Sequence, residues 1–188
     1  MKFMLGILLS LTLLTGFVII DDKSYSDSQE VWLIDMVQQE PETYVFSEEE
    51  TCMALNIYHE SRSENLAGKY AVADVVLNRV QDDRWPNTVC SVIYEAELRP
   101  SWVNPEIMVP KRHRCQFSWY CDGINDEPKD VDAWNASLAV AYQIIKNETY
   151  RGITEGATHY HATYVNPQWN RRFHVIGRIG SHIFYRAD

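Results

Sequence analysis

The run Gly68-Lys69-Tyr70-Ala71-Val72-Ala73-Asp74-Val75-Val76-Leu77-Asn78-Arg79-Val80 is apolar around most of a helical circumference. Such a helix is stable only with other elements packed on nearly every side, so this segment belongs at the centre of a folded domain. The residues before it predict its neighbour. Ser47-Glu48-Glu49-Glu50 has the form of a capping box, a hydroxyl at the cap and a carboxylate three residues on. The helix it opens carries Met53, Ala54, Ile57 and Tyr58 at three- and four-residue spacing, and Glu60 falls in its last turn. Ser63 is the expected cap of the central helix, with Glu64 in that helix's first turn. A carboxylate that closes one helix and abuts a second, buried one is shielded from water. Shielding disfavours the charged form and lets a glutamate donate a proton near neutral pH. Glu60 is therefore the leading candidate for chemistry.

Beyond the central helix, Trp85-Pro86-Asn87 breaks the pattern and Thr88 can cap a short helix through Tyr94. Residues 98–130, rich in Pro, Asn, Asp, Trp and Cys, read as a long irregular loop, a length that is usually functional or covalently tied down. Asp132 to Asn147 forms another helix, with Ala133, Trp134, Leu138, Ala141, Tyr142 and Ile145 as its apolar stripe. After Gly152 the texture changes to turns and short strand-like pieces, including 157–161 and 182–185. The expected fold is α+β and mainly helical, with a small β-rich C-terminal part.

Charge divides the chain. Residues 21–50 hold ten acidic side chains against Lys23 alone, a net −9, whereas residues 51–188 hold sixteen acidic and fifteen basic ones, a net −1. A nearly neutral body with an acidic lead-in lacks the cationic surface that nucleic acid requires. Residues 3–20 carry no charge, follow Lys2 and precede Asp21-Asp22. At the helical rise they would span about 27 Å, marginal for a bilayer core of roughly 30 Å. No Ala-x-Ala cleavage site is evident, so a signal anchor is favoured over a cleaved signal peptide. Three segments follow: 1–22 as signal anchor or signal peptide, 23–46 as acidic stalk, and 47–188 as the catalytic domain, placed outside the cytoplasm and expected to be a monomer. Four cysteines suit that compartment. Of the three possible connectivities, Cys115–Cys121, which flank a short aromatic loop, with Cys52–Cys90 is preferred.

With these residues in place, the chain resembles the cell wall hydrolase family of the SleB type, the spore-cortex-lytic enzymes. The resemblance is carried by Tyr58-His59-Glu60-Ser61-Arg62-Ser63-Glu64, Gly68 through Val80, Cys115-Gln116-Phe117-Ser118-Trp119, Gly156-Ala157-Thr158-His159-Tyr160-His161, Trp169, and Ile179-Gly180-Ser181-His182-Ile183-Phe184-Tyr185. These pieces occur in the family's order over about residues 50–186. The family usually has small residues, often Gly, where His59, Ser61 and Ser63 stand here. The resemblance implies a lysozyme-like catalytic domain with its essential glutamate at the end of a core helix. It further implies a lytic transglycosylase that cuts the MurNAc-GlcNAc bond of peptidoglycan without a cofactor.

Glycoside cleavage ordinarily uses two carboxylates, and a second one is hard to find. Glu64 reads as a favourable first-turn charge, and Asp74 as the anchor of a core network. Glu60 would thus act alone as acid and then base. Gln116, Phe117, Ser118, Trp119, Thr158, Tyr160, His161 and Trp169 have the mixed polar and aromatic character of a sugar-binding cleft, and His182 reads as a core histidine holding the last strand. Six tryptophans and eleven tyrosines supply both core and sugar platforms. Three other readings are weighed against this one. His159, His161 and His182 with Glu60 could bind zinc in an amidase or endopeptidase; water could attack instead, giving a hydrolytic muramidase; or the chain could be a non-catalytic glycan-binding module. The biological setting, whether growth, germination or viral lysis as an endolysin, is open at this level.

Overall fold

Helix α1, Glu48–Ser61, starts at the capping box. Glu50 Oε2 accepts the Ser47 amide at 2.6 Å while Ser47 Oγ accepts the Glu50 amide at 3.3 Å. The computed structural model describes residues 44–187; the signal segment and all but the last residues of the acidic stalk lie outside the described residues. The central helix α2 spans Leu66–Val80. Its cap is Asn65 rather than Ser63, with Asn65 Oδ1 accepting from Gly68 N at 2.9 Å. The reason is the buried Lys69, whose ammonium donates to Arg62 O at 3.0 Å and Glu64 O at 2.5 Å. Those bonds hold residues 62–64 in a turn, so Glu64 precedes the helix instead of lying in its first turn.

As its composition requires, α2 is enclosed: Ala71, Val72, Ala73, Val75 and Val76 are all fully buried. Met53, Ala54 and Ile57 of α1 share one core with Val92 and Ile93 of α3 (Val89–Ile93) and Val140, Ala141 and Ile144 of α4 (Val131–Lys146). Helix α4 is capped by Asp130, whose Oδ1 accepts from Ala133 N at 3.0 Å. On the other side of α2, Ala71 and Val75 pack against Ala157 and Phe184.

Two sheets complete the α+β fold. The stretch expected to be irregular contains an antiparallel hairpin, β1 (Ala96–Pro100) with β2 (Met108–Cys115), followed by a 3-10 turn at Ser118–Cys121. No fully buried residue occurs in either strand, so no core-facing alternation marked them in the sequence. The second sheet is antiparallel with order β3-β5-β4, formed by His159–Ala162, His174–Ile179 and His182–Arg186. Disulfides join Cys52 to Cys90 and Cys115 to Cys121, the preferred connectivity. Among the described residues no helix is long and apolar enough to cross a membrane.

Candidate active site

Glu60 occupies the penultimate position of α1, where the chain turns towards α2. Tyr160, from β3, donates its hydroxyl to Glu60 Oε2 at 2.9 Å. Burial pushes the Glu60 carboxyl above its ordinary range, opposed by the Tyr160 hydrogen bond and the charge of Arg79. The Tyr160 hydroxyl is itself driven well above its usual value, first by burial and then by the neighbouring glutamate. It therefore serves as a fixed donor that does not ionise. With Oε2 so occupied, Oε1 is the oxygen left to carry a transferable proton.

Arg79 is the site residue that sequence reading missed. It lies on α2, buried, with Nε donating to Thr158 O at 2.8 Å. Its guanidinium sits 4.3 Å from the centroid of Trp85 and 5.3 Å from that of Phe117. The signal was present: an arginine on a helix that is apolar nearly all round needs a special partner. Held this way, the cation interacts with Glu60 through its charge without a salt bridge, and it favours the glutamate anion.

The loop residues divide. Phe117 is buried beneath Arg79, and Trp119 is buried with Nε1 donating to Asn56 Oδ1 at 3.1 Å. Trp119 stacks on His59 at 4.6 Å, and His59 Nε2 bonds Asp126 O at 2.9 Å. His59 is thereby engaged by the loop. Gln116 and Ser118 are exposed on the same segment. A cavity of about 400 Å³, lined in part by Tyr94, Trp119, Tyr120 and Asp126, lies beside it.

The expected substrate contacts on β3 do not gather on one side. Successive strand residues point to opposite faces. Tyr160 packs with His182 at 5.2 Å and Phe184 at 5.6 Å on the face towards Glu60. His159 and His161 pack on the other face against Trp169, each at 5.6 Å. His161 is buried and bonded to Tyr185 Oη at 2.8 Å, so it reads as structural. Thr158 is also buried, its hydroxyl bonded to His159 Nδ1 at 3.0 Å and its carbonyl holding Arg79. Trp169 belongs to this second cluster, with Phe173 and Tyr185. The zinc set is split by the same alternation, and among the described residues no three of His, Cys, Asp and Glu converge as metal ligands.

The other carboxylates have structural work. Glu64 accepts from Ser181 N at 3.0 Å and from Ser181 Oγ, clasping the β4–β5 turn. Asp74 binds Arg151, accepts from Gly152 N at 3.0 Å and Thr154 N at 3.1 Å, and takes the Thr154 hydroxyl at 2.5 Å. It is the core network that was expected. His182 is buried beside Tyr160, but its Nδ1 has no hydrogen-bond partner, unlike the satisfied core histidine that was expected.

Comparison with known proteins bears on the family and the fold. A family model described as Cell Wall Hydrolase matches residues 63–185, beginning just after Glu60. A spore cortex-lytic enzyme from Bacillus cereus is 54% identical over 43 residues, 23% of this chain; the match spans only 17% of that relative's length. Among solved structures, the catalytic domain of the germination-specific lytic transglycosylase SleB from Bacillus anthracis aligns with TM-score 0.52 at 28% identity, covering 78% of this chain and 100% of that one. The catalytic domain of the Bacillus cereus SleB protein aligns with TM-score 0.51 at 28% identity, covering 78% and 94%.

Proposed function

This chain belongs to the cell wall hydrolase family, and on that footing we propose that it cleaves peptidoglycan glycan strands as a lytic transglycosylase with Glu60 as its single acid and base. The observation that carries the reading is a carboxyl raised by burial, fixed by a 2.9 Å hydrogen bond from Tyr160 and faced by the buried cation of Arg79. Glu60 Oε1 gives its proton to the glycosidic oxygen as the bond to the muramic acid C1 breaks. The sugar's acetamido group supports the cationic carbon. The resulting Glu60 carboxylate, favoured by Tyr160 and Arg79, takes the proton of the C6 hydroxyl as that oxygen closes on C1. The products are a 1,6-anhydro end and a free hydroxyl, with no water consumed and Glu60 again protonated. General acid–base assistance of this kind accounts for roughly 10²–10⁴ of the rate.

In this proposal Gln116 and Ser118 contact the strand directly, while Phe117 and Trp119 shape the wall behind them. Thr158, His161 and Trp169 act through the packing that positions Tyr160 and Arg79. The charge-free segment 3–20 tethers or exports the domain, and the acidic segment 23–46 spaces it from the membrane. Two disulfides suit a site of action outside the cytoplasm. The catalytic domain acts as a monomer.

Mass spectrometry of soluble products from purified sacculi tests the reading. Anhydro-muropeptides are expected, and they should vanish with Glu60→Gln. Reducing sugar ends would assign a muramidase instead, and free peptides an amidase or endopeptidase.

A further inference from the structure

The β1–β2 hairpin carries two features that folding does not explain. The first is its apolar end: Trp102 is 88% exposed and Val103 95%, with Ile107 and Met108 more than half exposed beside them. The largest of these residues belongs in contact with something, since contiguous exposed apolar surface marks a binding site. The second is a basic bulge. Leu98 pairs with Pro110 and Ala96 with Cys115, so the four residues Lys111-Arg112-His113-Arg114 stand opposite Glu97 alone. All four are exposed, and His113 is held at φ 59°, a conformation that L residues rarely adopt. Bulges of this kind re-aim side chains and recur next to active sites. Here the bulge pushes four consecutive basic residues out of the ladder.

The hairpin is joined firmly to the loop that packs beside Glu60. Cys115 at the end of β2 is disulfide-bonded to Cys121, and Arg112 Nε donates to Asp122 O at 3.0 Å. Gln116 N donates to Glu95 O at 3.0 Å, closing the base of the hairpin. Between those anchors lie Phe117, under Arg79, and Trp119, stacked on the residue before Glu60. At about 3.3 Å per residue, a five-residue strand carries the tip roughly 17 Å from this base. Arg99 lies 5.5 Å from the Trp102 centroid, which orients the indole.

We propose that this hairpin is a second binding arm, which grips the carboxylate-bearing peptide stems and sugar rings of the peptidoglycan strand beyond the cleaved bond. The inference rests on the functional reading above, because a polymer held at Glu60 must continue past the cleft wall. The arm offers four arginines and lysines (Arg99, Lys111, Arg112, Arg114) against two glutamates (Glu97, Glu106), a positive element on a chain of net charge −9. Lys111 meets Glu97 only in an exposed pair at 3.1 Å, a contact of small worth, and Arg112 is tied to Asp122 O, so Lys111 and Arg114 are the cations that can turn to the strand. Stem peptides present free carboxylates at every substituted muramic acid, and an exposed indole suits the apolar face of a sugar. Both features of the arm then have a partner on one polymer.

The test measures binding of the full chain carrying Glu60→Gln, which cannot digest its target, to native sacculi and to sacculi with their carboxylates chemically amidated. In that background, Lys111→Gln with Arg114→Gln is expected to weaken binding to native sacculi about ten-fold, as is Trp102→Ser with Val103→Ser. Amidation should weaken the parent by a similar factor and leave the Lys111/Arg114 variant almost unchanged. The arm is overturned if either double variant binds native sacculi like the parent, or if amidation has no effect on the parent. Loss of binding to phosphatidylglycerol vesicles alone would instead make the hairpin a membrane contact. Failure of the active chain to cut sacculi would remove the functional reading, a result separate from any of these binding outcomes.

Discussion

Tyr160 reaches Glu60 from a strand one hundred residues further along the chain, and its hydroxyl lies 2.9 Å from Oε2. This bond favours the glutamate anion, so Tyr160→Phe should raise the Glu60 pKa further. A general acid is lost as pH rises through its pKa, so the alkaline limb of the kcat/KM profile should move to higher pH. The maximum rate should fall by roughly ten- to a hundred-fold, since a hydrogen bond to a charged group contributes about 1.5–3 kcal/mol. A profile that keeps its position would show that Tyr160 does not act on the acid.

Arg79 acts on the same carboxyl through its charge. Arg79→Met should shift the alkaline limb upward, as Tyr160→Phe does, and slow turnover about ten-fold or more. Arg79→Lys retains the charge but loses the Thr158 bond geometry, so it should slow turnover while leaving the limb near its original place. If the two variants gave the same profile, charge would not be the operative property.

Much of this site could be anticipated from sequence, and the exceptions have physical causes. Glu60 could be singled out because local rules agree there: a capping box starts the helix, its period places the residue, and the apolar helix behind supplies the burial. Tyr160 was a candidate only as a sugar contact, because no local pattern reports that a strand residue meets a helix end one hundred positions away. Its separation from His161 and Trp169 was not legible either, because a four-residue strand gives adjacent side chains opposite surroundings. The β1–β2 hairpin was invisible for another reason: it covers no core, so its sequence carries no buried alternation. Arg79 went unnoticed because its partners are aromatic faces and a carbonyl from three separate segments.

Gly180 holds the β4–β5 turn at φ +58°, and a methyl group on it would overlap Glu64 Oε2. Gly180→Ala should therefore strain the turn and push Glu64 off Ser181. A cost of about 1–3 kcal/mol is expected, read as a lower melting temperature. An unchanged melting temperature would mean that the Glu64–Ser181 clasp contributes little.

His159 predicts a loss of stability in mild acid. Its pKa is lowered from 6.5 to about 4 by burial and the nearby arginines, Arg79 and Arg84, against a smaller pull from Asp82. A depressed histidine contributes stability above its unfolded pKa, and this is lost as pH falls from about 6.5 through about 4. Glu60, raised in the folded state, has the opposite slope, losing its contribution as pH rises. Thermal melts across this window should show a decline towards acid that His159→Gln makes shallower. An equal decline in the variant would place the sensitivity elsewhere.

Strand β3 has a consequence for how this protein can change. Its tyrosine belongs to the reactive side and its flanking histidines to the aromatic side, so one short segment serves two compartments at once. Either set can vary only while the order of the residues along the strand survives. Inserting a single residue before Tyr160 would exchange the two sides wholesale, disarming the acid without altering any residue that contacts it.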